Sequence, residues 1–433
     1  MNFRAGLTDA GLQEYLSASQ MWHSLCRDPF PVAAAVRGHA AAKHQRQEST
    51  DGQLPLAKRV AFKTARQGCR RIWTAEEALQ ALRHMYGPEA GYRSGRQAEA
   101  MQAVINNRLQ VIAILGTGEG KSLLYMLPAR LLGAGTTVLL VPFVALKEDT
   151  IRRCRTLGVQ CSVWYAEAPP SPSCPLVLVS IDQAVRKPFL TYVNQLDSTG
   201  QLGRVVVDEC HQVLTADSYR HKMREVIKLR SLRCQFLFLS ATLPSQMVPS
   251  FNKAFLLQNP LVIRSATVRV DLEYHVVQKY ATAGLVQAAA VDIQTVLGQH
   301  WFLAGGGSRA IIYTRTRPVA DKVAAEIGCP VYYSDSGTVE EKAAVLAGWV
   351  GGIESIILVA ISAFGAGIDY PSVRAVFHVD EPNGAIDFAQ EVGRAGRDGK
   401  GALSTIFLPK EWRPSDKTFS LPLSLHEDVR VMQ

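Results

Sequence analysis

From residue 74 onward the chain alternates short, nearly uninterrupted apolar runs with longer stretches in which apolar residues recur at helical spacing. The runs at 111–115, 137–141, 176–180, 204–207 and 236–239 each end in a polar or glycine-rich turn, and a second set follows at 273–278, 310–313, 331–333, 355–359, 375–379 and 404–408. A strand with one wet face would alternate apolar and polar residues. Continuous runs mean burial on both faces, which is the pattern of parallel strands covered by crossover helices. The expected fold is therefore α/β, built as two successive parallel sheets with a seam near 263–271, and ligands are expected where strand C-termini face a common cleft. A helix is expected over 123–132, and the uncharged stretch 136–146 reads as one buried strand.

Length and charge add a third region. At 433 residues the chain exceeds one hydrophobic core. Residues 1–75 lack the alternation. After one amphipathic stretch near 7–25 they become rich in Ala, Arg and Gln, and the segment 37–71 carries nine Lys or Arg against Glu48 and Asp51, a net +7 out of the chain's +9. The expected organisation is a basic, partly disordered N-terminal extension (1–75), a first α/β domain (76–265), a second (266–410) and a tail (411–433). Such an arm suits a polyphosphate backbone or nuclear import, or is a plain solvated tether. The stretch 136–146 is too short to span a bilayer, and the first residues lack a secretory pattern, so a nuclear protein, or a cytoplasmic one in a prokaryote, is expected and no membrane partner. The eight cysteines are scattered without a C-x-x-C pair; no zinc is expected, and most should be buried thiols.

Three motifs carry chemistry. Gly116-Thr-Gly-Glu-Gly-Lys-Ser122 follows the first strand and precedes a helix. In that context the backbone N–H groups of Gly116, Thr117, Gly118, Glu119 and Gly120 suit a phosphate chain, Lys121 its terminal phosphates, and the Ser122 hydroxyl a Mg²⁺ ion. Asp208 and Glu209 end the run Val205-Val-Val; Asp208 is placed to hold Mg²⁺ and Glu209 to orient and deprotonate an attacking water. Far downstream, Gln390-Glu-Val-Gly-Arg-Ala-Gly-Arg397 sets Arg394 and Arg397 three apart, on one side of a helix or tight turn. A hydrated basic loop would need none of Gln390, Gly393 and Gly396. The ordered set predicts an ATP-driven motor, with ATP and Mg²⁺ as cofactors.

Over residues 86–408 the chain resembles the helicase core of superfamily 2, and within it the RecQ family. Tyr92-Arg-Ser-Gly-Arg-Gln97 is similar to the adenine-reading segment, which implies base contacts for Gln97 and Arg93. Val141-Pro-Phe-Val-Ala-Leu146 resembles motif Ia, and Ser240-Ala-Thr-Leu-Pro244 the motif that couples nucleotide state to strand movement. Ile311-Ile-Tyr-Thr-Arg-Thr-Arg317 and Ala360-Ile-Ser-Ala-Phe-Gly-Ala-Gly-Ile-Asp369 resemble motifs IV and V. The resemblance implies two tandem RecA-like domains and 3′ to 5′ movement on single-stranded or partly duplex DNA, with RNA kept open. It also implies nucleotide contacts for Gly367 and Asp369, coupling roles for His211, Ser240 and Thr242, and a strand-binding groove lined by Phe143, Arg315, Arg317 and Phe364.

The chain departs from the pattern at several places. Leu115 stands where the phosphate loop usually has its first glycine, and Cys210 replaces an alanine. Residues 212–220 lack the family's aromatic loop, of which Tyr219 and Arg220 are the reduced counterpart. With about 25 residues after Leu408, the zinc-binding, winged-helix and terminal nucleic-acid-binding modules of the family are expected to be missing, and weak duplex separation is expected with them. A nucleic-acid-binding relic that no longer couples turnover to movement, and an RNA-directed ATPase of the same superfamily, remain the alternatives.

Overall fold

The computed structural model describes residues 71–142, 144–215, 225–266, 269, 271–299, 307–333, 335–352, 355–361, 370 and 372–413, which fall in one compact unit spanning Gln67–Gln433. Nearly all of the basic extension, the expected helix near 7–25, Cys26, Cys69, Phe143, Tyr219, Arg220, Phe364, Gly367, Asp369 and most of the tail lie outside the described residues.

Seven strands form the first sheet: β1 (Gln110–Ile114), β2 (Thr136–Val141), β3 (Cys161–Val163), β4 (Leu176–Ser180), β5 (Leu202–Val207), β6 (Gln235–Ser240) and β7 (Leu261–Arg264). Their order is β3-β4-β2-β5-β6-β1-β7, all parallel. The second sheet has β8 (Leu272–Tyr280), β9 (Arg309–Thr314), β10 (Val331–Tyr332), β11 (Ile357–Ile361), β12 (Val373–Val379) and β13 (Ala402–Pro409), ordered β10-β11-β9-β12-β13-β8, again all parallel. The continuous apolar runs are explained directly. Ile112, Val138, Leu140, Val205 and Phe238 pack into a core on one face of the first sheet, while Val111, Leu139, Val206 and Leu237 pack into another on the opposite face.

Two expectations are corrected by proline. The stretch 136–146 is not one strand, because β2 stops at Val141 before Pro142 and a helix begins at Val144; proline has no N–H for the ladder. The helix expected over 123–132 covers only Leu123–Met126 and tightens into a 3₁₀ turn at Pro128–Arg130. The short β3 and β7 are additional to the expected strands, and β7 takes in Ile263 and Arg264, so residues 265–271 alone join the sheets. Of the six described cysteines, Cys154, Cys174, Cys210 and Cys234 are buried, and none of the six is in a disulfide. Among the described residues no helix is long and apolar enough to cross a membrane.

Candidate active site

The glycine loop leaves the buried end of β1 and turns through Gly118 (φ +87°) and Gly120 (φ +77°), both in the left-handed region that favours glycine. At Gly120 there is a second reason. A Cβ there would lie 2.4 Å from Gln97 Nε2, because Gln97 is buried against the loop and donates to the Gly120 carbonyl at 3.0 Å. Ser94 caps the helix Gly95–Ile105 by accepting from the Gln97 N–H, Gln97 Oε1 accepts from the Arg93 N–H at 2.6 Å, and the Arg93 guanidinium donates to the Gly118 carbonyl. The segment expected to read a base is thus braced on the loop, with the Gln97 amide nitrogen engaged there and its oxygen engaged by the Arg93 N–H of the same segment.

Within the loop, Glu119 Oε2 accepts from the Gly116 N–H (2.5 Å) and Lys121 Nζ donates to the Leu115 carbonyl (3.2 Å). Ser122 makes no capping bond to its own short helix, so its hydroxyl is not committed there.

Across from Lys121, β5 delivers Asp208 and Glu209. Glu209 takes φ +47° and its N–H donates to Asp208 Oδ1 at 3.0 Å. Burial raises both carboxyl pKa values; Asp208 is raised further by the Glu209 charge, while Lys121 pulls both down and Arg394 pulls Glu209 down. Glu209 Oε2 is buried and accepts no hydrogen bond; His211 Nδ1 lies 3.4 Å away and is 3.0 Å from Ser240 Oγ. His211 is pushed down to about 4 by burial, with the Lys121 charge adding to it, and so is neutral.

The second sheet closes the site. The helix Ala385–Val392 ends at Gly393, and residues 393–399 form tight turns, with Gly396 at φ +61°. A Cβ on Gly393 would touch Thr117 Oγ1 at 2.9 Å, and one on Gly118 would lie 3.9 Å from Arg397 Cγ. The arginine turn therefore rests on the glycine loop. Gln390 Nε2 lies 3.0 Å from His211 Nε2 and 3.3 Å from Thr242 Oγ1, and the Thr242 N–H donates to Ser240 Oγ at 3.0 Å. With His211 neutral, its Nδ1–H faces Ser240 and its Nε2 accepts from Gln390. Lys121, Asp208, Glu209, His211, Ser240 and Thr242 from one sheet and Gln390, Arg394 and Arg397 from the other thus form one constellation.

Arg315 and Arg317 lie outside it. Both are about half exposed, Arg315 paired with Glu381 (3.6 Å) and Arg317 with Asp335 (2.6 Å). Sequence reasoning missed the support behind Arg394. Tyr313 is buried close enough to Arg394 to feel its charge, stacks on His378 with ring centroids 5.5 Å apart, and His378 Nε2 lies 2.9 Å from Glu391 Oε2. Glu391 lies inside the double-arginine motif; nothing in the sequence singles out His378.

Two family models match: DEAD/DEAH box helicase over residues 94–249 and helicase conserved C-terminal domain over 293–399. Among curated relatives, the putative ATP-dependent DNA helicase Q1 of Caenorhabditis briggsae is 30% identical over 77% of this chain and 55% of its own length. The RecQ-like DNA helicase blm-1 of Caenorhabditis elegans is 30% identical over 66% of this chain and 30% of its own. The chain has a RecQ-like superfamily 2 helicase core. It spans about half or less of the length of these relatives. The fold is shared more widely: the DEAD-box helicase Mss116 bound to ssRNA and AMP-PNP superposes with a TM-score of 0.63 at 15% identity, over 84% of this chain and 86% of that one.

Proposed function

We propose that this RecQ-like core is an ATP-dependent motor that couples Mg-ATP hydrolysis to 3′ to 5′ movement on single-stranded DNA and to duplex unwinding. The observation that carries the reading is the closure of one constellation by two sheets, with the Gln390–His211 contact beside Glu209. A phosphate chain suits the backbone N–H groups of Thr117, Gly118 and Gly120, those of Gly116 and Glu119 being bonded within the loop, and the donor set of a hydroxyl, the buried Asp208 and the partly buried Glu209 beside Lys121 fits a hydrated divalent cation. Ser122 and Asp208 would hold Mg²⁺, which supplies charge neutralisation at the phosphate oxygens when bound.

Lys121, Arg394 and Arg397 neutralise the charge that spreads over the transferred phosphoryl group. Glu209 orients the water whose oxygen attacks the γ-phosphorus and takes its proton, while the bond to the β,γ-bridging oxygen breaks and ADP leaves. Burial that raises the Glu209 pKa makes it a stronger proton acceptor, while the Lys121 and Arg394 charges oppose that rise. Because the arginines come from the second sheet, turnover requires the cleft to be closed. Alternation between closed and open states then changes the grip on a strand, which is the basis of stepping.

The test is ATP hydrolysis by purified protein with Mg²⁺, with and without single-stranded DNA and RNA. DNA should accelerate it, and Lys121→Ala and Glu209→Gln should each abolish the acceleration, with losses on the order of 10³ expected when transition-state charge stabilisation is removed. Hydrolysis indifferent to either polymer would favour the relic, and stimulation by RNA alone the RNA-directed enzyme.

A further inference from the structure

The segment joining the sheets contains a pair that the hydrolytic scheme leaves without a role. Arg269 grips Asp271 with two parallel bonds, Nε to Oδ1 at 2.8 Å and a terminal nitrogen to Oδ2 at 2.6 Å. The same terminal nitrogen donates to the carbonyls of Ala395 (2.9 Å) and Gly396 (3.1 Å), the two residues lying between Arg394 and Arg397. Asp271 is fixed in turn, since its carbonyl accepts from the Ala402 N–H at 3.0 Å where β13 begins. The clasp also explains the glycine in the turn. A Cβ at Gly396 would lie 3.0 Å from both Arg269 and Asp271 side-chain atoms and 2.8 Å from the Lys400 carbonyl.

Arg269 faces the first sheet's half of the cleft as well. Thr117, Glu119, Arg269, Asp271 and Arg397 line one cavity of about 720 Å³, and the Glu119 carboxylate lies near enough to act on the Arg269 charge. A guanidinium on the connector therefore touches the backbone that carries both arginines and looks across at the glycine loop.

We infer that Arg269, oriented by Asp271, is a positioning residue: it holds the turn so that Arg394 and Arg397 face the glycine loop, linking the connector to their placement. The inference rests on the nucleotide reading above, and it separates from a plain strut by its kinetics. A planar fork that serves carbonyls and carboxylate together is poorly replaced by the point charge of lysine, so Arg269→Lys should return only part of the function.

Steady-state hydrolysis at saturating single-stranded DNA should show kcat reduced about tenfold or more in Arg269→Ala with KM for ATP within about threefold, the pattern of a lost transition-state contact. Arg269→Ala/Arg397→Ala should be no slower than Arg397→Ala, because residues acting through one another are not additive. Amide hydrogen exchange should quicken over 393–399 in Arg269→Ala and in Asp271→Asn while β9 and β12 keep their protection. Unchanged kcat, a multiplicative double variant, or quickened exchange throughout the second sheet would overturn the inference. Absence of ATP turnover in wild type would instead sink the motor reading, and exchange at 393–399 would then decide the role of Arg269 by itself: faster supports it, unchanged removes it.

Discussion

At the scale of single residues the site is dominated by what burial does to charge. His211 is enclosed between the two sheets, and its neutral form is the one that accepts from Gln390 and faces Ser240. Its pKa falls from 6.5 unfolded to about 4 folded. The sign follows from proton counting: between those values the unfolded chain binds a proton that the folded chain refuses, so the stability tied to neutral His211 is complete above about pH 6.5 and is lost as pH falls toward 4. Asp208 and Glu209, raised by burial, act in the opposite sense, so the comparison needed is wild type against His211→Asn, in which those carboxylates largely cancel. Wild type should lose about 3 kcal/mol relative to the variant across that window, read from urea midpoints. A gap independent of pH would show that His211 is not held neutral. At this scale the sequence is informative where chemistry needs fixed spacing. Lys121, the Asp208–Glu209 pair and the Arg394–Arg397 pair are legible from their motifs alone. Tyr313, His378 and Arg269 are not, since they act only through contacts made between distant elements.

At the scale of elements, the apolar runs announce eleven of the thirteen strands among the described residues, because strands buried on both faces leave a continuous signal. The two missed, β3 and β7, are short and lie at the sheet's edges, where one side carries no neighbour and the sequence need not be uniformly apolar. The breaks at Pro142 and Pro128 show a local residue overriding a run. Helix ends are better specified than helix lengths. Thr338 accepts from the Glu341 N–H while Glu341 reaches back to the Thr338 N–H, a reciprocal cap on the helix Val339–Gly351. At the other end of that helix, Arg309 donates to the carbonyls of Trp349 and Val350. Both ends satisfy groups that a helix leaves open. Thr338→Ala should cost about 1 kcal/mol, measured as a shift in the urea midpoint with ATP hydrolysis retained. A larger loss, or a loss of hydrolysis, would mean that this helix does more than cover the sheet.

At the scale of the whole molecule, the strongest argument for a motor is that neither sheet holds a complete site. The first supplies the glycine loop and both carboxylates, and the second supplies both arginines. Gln390 is one place where the halves communicate by hydrogen bonding, since its amide reaches His211 and Thr242 from the opposite sheet. His211 follows Glu209 by two residues, and Thr242 follows the Ser240 that anchors the histidine ring. A change in how the second sheet sits on the first would thereby be transmitted to Glu209, the carboxylate proposed to handle the attacking water. Gln390→Ala removes this connection while leaving Lys121 and Glu209 in place. Its expected signature is a fall in kcat and a larger fall in the ratio of DNA-stimulated to basal hydrolysis, with binding of a fluorescent ATP analogue within about threefold of wild type, because the contact joins the two sheets and does not involve the glycine loop proposed to hold phosphate. Equal losses in basal and stimulated rates would place Gln390 in the chemistry alone and detach the polymer's effect from this bridge.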